Sequence, residues 1–148
     1  MVYEKCKDNF TVSTNAERLD IDVIHSFLTR YYWARGIQKE LVRRAIESSL
    51  CFGLFDAEKQ IGFARVITDY TRFAYILDVF VLEEYQGRGL GTWLMQCVME
   101  YLVPFGLFKI MLGTNDAQAF YRKFGFREIS HPENCMEVLF EMPWFKKE

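Results

Sequence analysis

The sequence predicts a mixed α/β (α+β) fold, one sheet with helices on both faces. Three observations predict it. Apolar strand-like segments come first as a meander, from Cys51 to Leu82. Strand and helix patterns then alternate to the end of the chain. One segment, Ala74 to Leu82, is apolar on both faces except at Asp78, the mark of a strand lying centrally in its sheet.

Each element has its own local reason. Phe10 to Ser13 is a short strand. From Asp20 to Thr29, Ile21, Ile24, Phe27 and Leu28 recur at helical spacing, with Asp20 as the N-cap. Tyr31 to Gly36 breaks the pattern as a loop. Gln38 to Ser48 is a second helix with Leu41, Val42, Ala45 and Ile46 turned inward. Cys51 to Phe55, a hairpin turn at Asp56 to Lys59, and Ile61 to Thr68 make two strands before the central one. Leu90, Leu94, Val98 and Leu102 form an i, i+4 stripe on a third helix. Phe108 to Leu112 is a strand and Ala117 to Phe124 a short helix stopped by Gly125. Met136 to Met142 reads as the last strand.

Composition bounds the function. The chain has 148 residues, enough for one domain with one core. No linker or internal repeat divides it. A net charge of −2 without a basic tract argues against nucleic-acid or anionic-membrane binding. No apolar run approaches the roughly 18 residues that span a bilayer, and the N-terminus has no signal-peptide pattern. Cys6, Cys51, Cys97 and Cys135 are scattered, so reduced thiols in a cytoplasmic protein are expected and no metal site is. His25 and His131 are isolated and carry no assigned role.

The richest stretch follows the central strand. Gln86-Gly87-Arg88-Gly89-Leu90-Gly91-Thr92 places glycines at a turn between a buried strand and a helix N-terminus. Unpaired N–H groups and the helix dipole make such a turn an anion cradle. The spacing fits neither the dinucleotide fingerprint nor a P-loop, because the third glycine comes early and no Gly-Lys-Ser/Thr follows. Tight turns without any ligand use the same residues.

Two motifs together carry a family resemblance. Gln86 to Gly91 resembles the acyl-CoA pyrophosphate motif of the GNAT superfamily of N-acetyltransferases. Ala117-Gln-Ala-Phe-Tyr-Arg-Lys-Phe-Gly-Phe126 resembles its C-terminal Tyr-x-x-x-Gly-Phe signature. Asp78-Val-Phe-Val81 matches the strand before the turn, and the resemblance runs from Phe10 to Met142. It implies a mostly antiparallel mixed sheet of six to seven strands, splayed at the cofactor site, with about four helices on both faces.

The resemblance also implies acetyl-CoA as donor, and a small-molecule or peptide amine as acceptor. It puts the pyrophosphate on the amides from Gln86 to Thr92, with Arg88 adding charge. The pantetheine arm lies along Val79, Phe80 and Val81. The donor site extends to Thr114, Asn115, Ala117, Phe120, Tyr121 and Lys123. Many members have Asn seven residues before the tyrosine; this chain has Thr114, with Asn115 next to it.

In this reading Tyr121 protonates the departing thiolate; outside the family signature it would be an ordinary core tyrosine. Asp78 either handles the acceptor's amine or makes a structural pair with Arg65 or Arg72, because a carboxylate buried in a strand needs a partner or a use. Tyr31 and Trp33 are candidates for walling the acceptor pocket, or for packing the end of the first helix. Glu83, at the strand end, is a further acceptor-side candidate. A non-catalytic acyl-CoA-binding module and a different nucleotide binder are the alternatives. The oligomeric state is monomer or homodimer, and the ending Met142-Pro-Trp-Phe145 lies in a dimer contact or covers the chain's own core.

Overall fold

The computed structural model describes residues 1–31 and 34–142. Its six strands are β1 (Glu4–Lys7), β2 (Phe10–Ser13), β3 (Leu50–Asp56), β4 (Lys59–Thr68), β5 (Phe73–Val81) and β6 (Lys109–Leu112). They form one sheet in sequence order. Every neighbouring pair is antiparallel except β5 and β6, which run parallel. A parallel pair needs a crossover, and here it is helix α3 (Leu90–Leu102). Helices α1 (Ile21–Leu28) and α2 (Lys39–Glu47) connect β2 to β3, and α4 (Gln118–Arg122) follows β6.

Local chemistry sets the helix starts. The Asp20 carboxylate accepts from the amides of Asp22 and Val23 at 3.0 and 3.3 Å and caps α1. The expected stripe of α3 is fully inside: Leu90, Leu94, Val98 and Leu102 are all buried. Removing each such side chain from water contributes roughly 1.5–3 kcal/mol.

The core has two parts, one on each face of the sheet. On one face α3 packs Leu94 and Val98 on Phe52, Leu54, Ala74 and Ile76. On the other, α1 and α2 pack Ile24, Phe27, Leu28 and Val42 on Cys51, Phe63 and Phe80. Strand β5 changes face partway along. Ala74 and Ile76 face α3, and so do Val79 and Val81, while Phe80 faces α1. A period of two would not allow this without one extra residue. Arg65 pairs with Leu77 and Phe63 with Phe80, so β5 carries that residue as a bulge. Asp78 sits in it with φ +56°, a left-handed conformation uncommon outside glycine.

One strand has no expectation behind it, and two expectations need correction. Strand β1 lacks the apolar signal that would reveal it; Glu4 to Lys7 are exposed and gain order by pairing with β2. Helix α4 is shorter than Ala117 to Phe124. The segment Met136 to Met142 forms no strand. A strand exists only through a partner ladder, and this segment has none, so among the described residues there are six strands and β6 ends the sheet. Trp33 and the stretch after Met142 lie outside the described residues.

Candidate functional site

The site begins where the sheet comes apart. The β5–β6 ladder runs from Phe73–Lys109 to Ile76–Leu112 and stops. Strand β5 continues to Val81, held by β4 alone on its other side. Beyond Leu112 the chain turns away through Gly113 and Thr114. The two strands thereby leave a cleft of about 1400 Å³, walled by Val79, Phe80 and Val81 on one side and Gly113 to Ala117 on the other. Single small-molecule sites commonly occupy about 300–1,000 Å³, so this cleft has room for two ligands side by side.

The end of the cleft nearest α3 is made of backbone. Gly87, Gly89, Gly91 and Thr92 line it. Gly87 and Gly89 both have φ +77°. A Cβ added to either would meet nothing within 4 Å, so backbone conformation, rather than crowding, calls for glycine. Gly91 is different: it is helical, and a Cβ there would make ordinary contacts at 3.8 Å with Phe120 and Val81. No side chain caps α3, and its first turn holds no acid. Its leading amides therefore present an uncompensated positive end toward the cleft. Gln86 stabilises the turn by donating its side-chain amide to the Val81 carbonyl at 2.8 Å.

The opposite end is made of side chains. Phe80 stacks on Phe27 at 3.9 Å between centroids, and Phe27 on Tyr31 at 4.1 Å, both pairs 12° from parallel. Leu28, Ile37, Leu41, Val42 and Ala45 continue the wall, so this end is mostly apolar. Asp78 and Arg65 are the charged pair on its floor. The Arg65 Nε donates to Asp78 Oδ2 at 2.8 Å, with side chains only 13% and 10% exposed. Arg65 also donates to the Ser49 hydroxyl at 3.1 Å. The pairing with Arg65, rather than Arg72, is thus present in the molecule. Cys51 lies buried close by, and burial pushes its thiol up to about 12. It stays protonated and is a poor nucleophile.

The third wall is the β6–α4 connection. The Thr114 hydroxyl oxygen accepts from the Ala117 amide at 3.1 Å and shapes the turn into α4. Phe120 and Tyr121 both reach the cleft. Tyr121 is half-buried, with its ring edge-on to Phe120 at 5.0 Å and to Phe126 at 6.1 Å. Asn115 and Ala117 complete this wall.

Most of the expected residues therefore meet on one cleft, and three side chains do not line it. The Arg88 guanidinium lies over the rings of Phe10 and Tyr85, 5.5 Å from each centroid. Glu83 is exposed on the turn after β5. Lys123 stands at the rim, its Nζ 3.4 Å from the Thr92 hydroxyl and 4.9 Å from the Phe120 ring centre. Sequence reading also missed residues. Gly113 has no motif around it, yet a Cβ there would lie 3.1 Å from the Tyr75 hydroxyl. The Phe27–Phe80 stack joins residues far apart in the chain, which no local pattern reveals. His25, left without a role, ties α1 to the loop before α2 through a 2.8 Å hydrogen bond to the Ile37 carbonyl.

Comparison with known proteins agrees with this architecture. Residues 20–126 match the model of the acetyltransferase (GNAT) family. A crystal structure from Xanthomonas campestris pv. campestris, described as belonging to the GNAT family, is 43% identical. It covers 93% of this chain and 97% of its own, with a TM-score of 0.88. The Gibberella zeae protein named "Putative acetyltransferase FG08082" is 30% identical over 79% of this chain and 78% of its own length. A GNAT family acetyltransferase from Elizabethkingia anophelis, crystallised with acetyl-CoA bound, shares the fold. It is 22% identical, with a TM-score of 0.65 over 91% of this chain and 90% of that one. The family match spans α1 through α4, including the parted strands, the glycine turn and the Tyr121 helix, and so the chain belongs to the acetyltransferase (GNAT) family.

Proposed function

We propose that this protein is an N-acetyltransferase that moves the acetyl group of acetyl-CoA onto a primary amine carried by an apolar body. The observation that carries the reading is one cleft with two unlike ends. A backbone cradle of glycine amides at an uncapped helix start suits a diphosphate. An apolar, aromatic-walled chamber with a buried carboxylate suits an amine. Between them, β5 continues past the end of its ladder with β6, and its backbone pairs with the pantetheine arm as another strand would.

The chemistry follows from these placements. The donor's pyrophosphate rests on the amides from Gly87 to Thr92, and its arm lies along Val79, Phe80 and Val81. Thr114 and Asn115 face it from the other wall. An N–H on the β5 edge polarises the thioester carbonyl, as an oxyanion hole does. The acceptor enters beside Phe27, Tyr31 and Phe80. An alkylammonium has a pKa near ~10 and must lose a proton before it can attack; Asp78 takes that proton through water. The neutral nitrogen attacks the carbonyl carbon, the C–S bond breaks, Tyr121 gives its phenolic proton to the sulfur, and the second nitrogen proton, lost as the amide forms, returns through water to the Tyr121 phenolate. The buried Cys51 thiol supports direct attack in a ternary complex over a cysteine acyl-enzyme.

The ion pair narrows the acceptor. Arg65 neutralises Asp78, so the chamber is not a field of free acids suited to a polycation. An amine with a flat apolar body fits it better. The chain acts as a single domain, and free thiols at Cys6, Cys51, Cys97 and Cys135 support a cytoplasmic setting.

Thiol release from acetyl-CoA over a panel of arylalkyl, alkyl and polyamine acceptors tests the reading. Tyr121→Phe is expected to lower kcat by roughly 10²–10⁴-fold with acetyl-CoA affinity unchanged. Acetyl-CoA binding without thiol release on any amine would mark a non-catalytic acyl-CoA module. Thermal stabilisation by NAD and not by acetyl-CoA would mark a different nucleotide binder.

A further inference from the structure

We propose that the acceptor is an apolar α-amino acid, with its amine at Asp78, its carboxylate at Arg65 and Arg44, and its side chain on the aromatic wall. The inference rests on the acetyl-transfer reading and names the acceptor of that same site. Three observations converge on it.

The first is the state of the Arg65 guanidinium. Its Nε donates to Asp78 Oδ2 at 2.8 Å and its Nη1 to the Ser49 hydroxyl at 3.1 Å. Ser49 in turn donates to the Ala45 carbonyl at 2.6 Å, which fixes the hydroxyl that receives the arginine. Two of the three nitrogens are thus held, while Nη2 has no hydrogen-bond partner among the described residues. The side chain is nearly buried and lines the cleft. A guanidinium locked on one side, with donors to spare where water is scarce, is prepared for a planar anion such as a carboxylate.

The second is the balance of charge. Arg44 lines the same chamber, with Ser48 one turn further along α2. Among the described residues no acid pairs with Arg44; Glu40 pairs with Arg43 instead. The acceptor end therefore carries two arginines against one aspartate. The other acid on the cleft, Asp116, belongs to the β6–α4 wall. A chamber with positive charge in excess draws an acceptor that has an anionic group. It disfavours a bare alkylamine, which is a cation at neutral pH.

The third is the placing of Asp78. An ion pair so deeply buried contributes little stability over apolar packing of the same size. Asp78 is nevertheless held at φ +56° in the β5 bulge, a costly conformation of the kind that clusters at ligand sites. An acid and a base side by side are the electrostatic complement of an α-amino acid head, whose amine and carboxylate are also neighbours. Bound there, each charge of the ligand meets its opposite, and an apolar side chain reaches Phe27, Leu41 and Phe80.

The chemistry of transfer is unchanged. The α-ammonium loses a proton through water to Asp78, the neutral nitrogen takes the acetyl carbon, and CoA leaves as the thiol. The products are the N-acetylamino acid, CoA and one proton. Acetylation removes the ligand's positive charge, ends its attraction to Asp78 and so favours release.

Thiol release from acetyl-CoA at one pH tests the inference. L-Phenylalanine is compared with phenylethylamine and L-phenylalaninamide, and L-leucine with 3-methylbutylamine. The amide keeps the ring and the amine but lacks the negative charge. Each amino acid is expected to exceed its partners in kcat/KM by roughly 10–100-fold, the worth of one hydrogen bond to a charged group. Arg44→Gln and Arg65→Lys should each bring that ratio down toward one. Arg44 is exposed, so the test stands even if Arg65→Lys fails to fold. A ratio near one in the unmodified chain, or a ratio that Arg44→Gln leaves unchanged, would overturn the inference and leave acetyl transfer standing. Release with the amines but with neither amino acid would do the same. No release with any of them, or with any other amine, would remove the acetyl-transfer reading and this inference together.

Discussion

The two ends of the cleft are built from different material. At the α3 end the wall is backbone, supplied by one short stretch from Gly87 to Thr92. At the α1–α2 end it is side chains from separate elements: Phe27 and Tyr31 near α1, Leu41 and Val42 from α2, Phe63 from β4 and Phe80 from β5. A backbone wall depends on φ values that a few neighbouring residues can dictate. A side-chain wall depends on packing between segments that meet only once the sheet has formed. The first end should therefore tolerate changes in its surroundings and fail at single glycines. The second should fail wherever a shared packing partner is removed.

Phe80→Ala puts the largest expected load on this contrast. It removes the ring stacked on Phe27 and leaves a void between α1 and the sheet, at a cost of about 3–5 kcal/mol. Urea denaturation reads that loss. A cost under about 1 kcal/mol would show that the wall collapses freely and is not a shared packing unit.

Arg65→Met comes next. It strips Asp78 of its guanidinium in a place that water hardly reaches, which costs about 3 kcal/mol. Adding Asp78→Asn to it should recover part of that loss, since the buried carboxylate whose guanidinium was removed is then neutral. If the double variant is no more stable than Arg65→Met, the loss does not come from the Asp78 charge.

The glycines give the smallest effect and the sharpest test of the backbone end. Gly89→Ala forces an L side chain into φ +77°, costing about 1 kcal/mol. It should also weaken acetyl-CoA binding, measured by calorimetry, because the strain is relieved by turning an amide out of the cradle. Gly91→Ala, with helical backbone and ordinary contacts for the new Cβ, should fold as well as the parent. Equal donor affinity in all three proteins would refute the amide cradle.

The same contrast explains what could be read from the chain before folding. The glycine turn was legible because its parts are adjacent and glycine has a conformational meaning of its own. The stripe of α3 was legible because helical spacing reports burial directly. Strand β1 was invisible, as Glu4-Lys5-Cys6-Lys7 has no alternating apolar face and is ordered only by β2. Met136 to Met142 shows the opposite failure: its pattern is that of a strand, yet it is exposed and joins no ladder of the sheet. Arg88 has the place of a phosphate ligand in the motif, and its guanidinium lies over the rings of Phe10 and Tyr85, a contact no local pattern reveals. Asp78 was flagged as a carboxylate needing a partner. Choosing Arg65 over Arg72 required the register of β4 on β5.

By itself, then, the order of residues determined the strand meander, the helix that follows the glycines, and the amides that turn presents. Those features rest on φ preferences and spacing within a few residues. Only the tertiary structure decided which charges are paired, which aromatic rings share a wall, and that the last strand-like segment joins no ladder of the sheet. Those outcomes depend on contacts between distant parts of the chain, and no local preference encodes them.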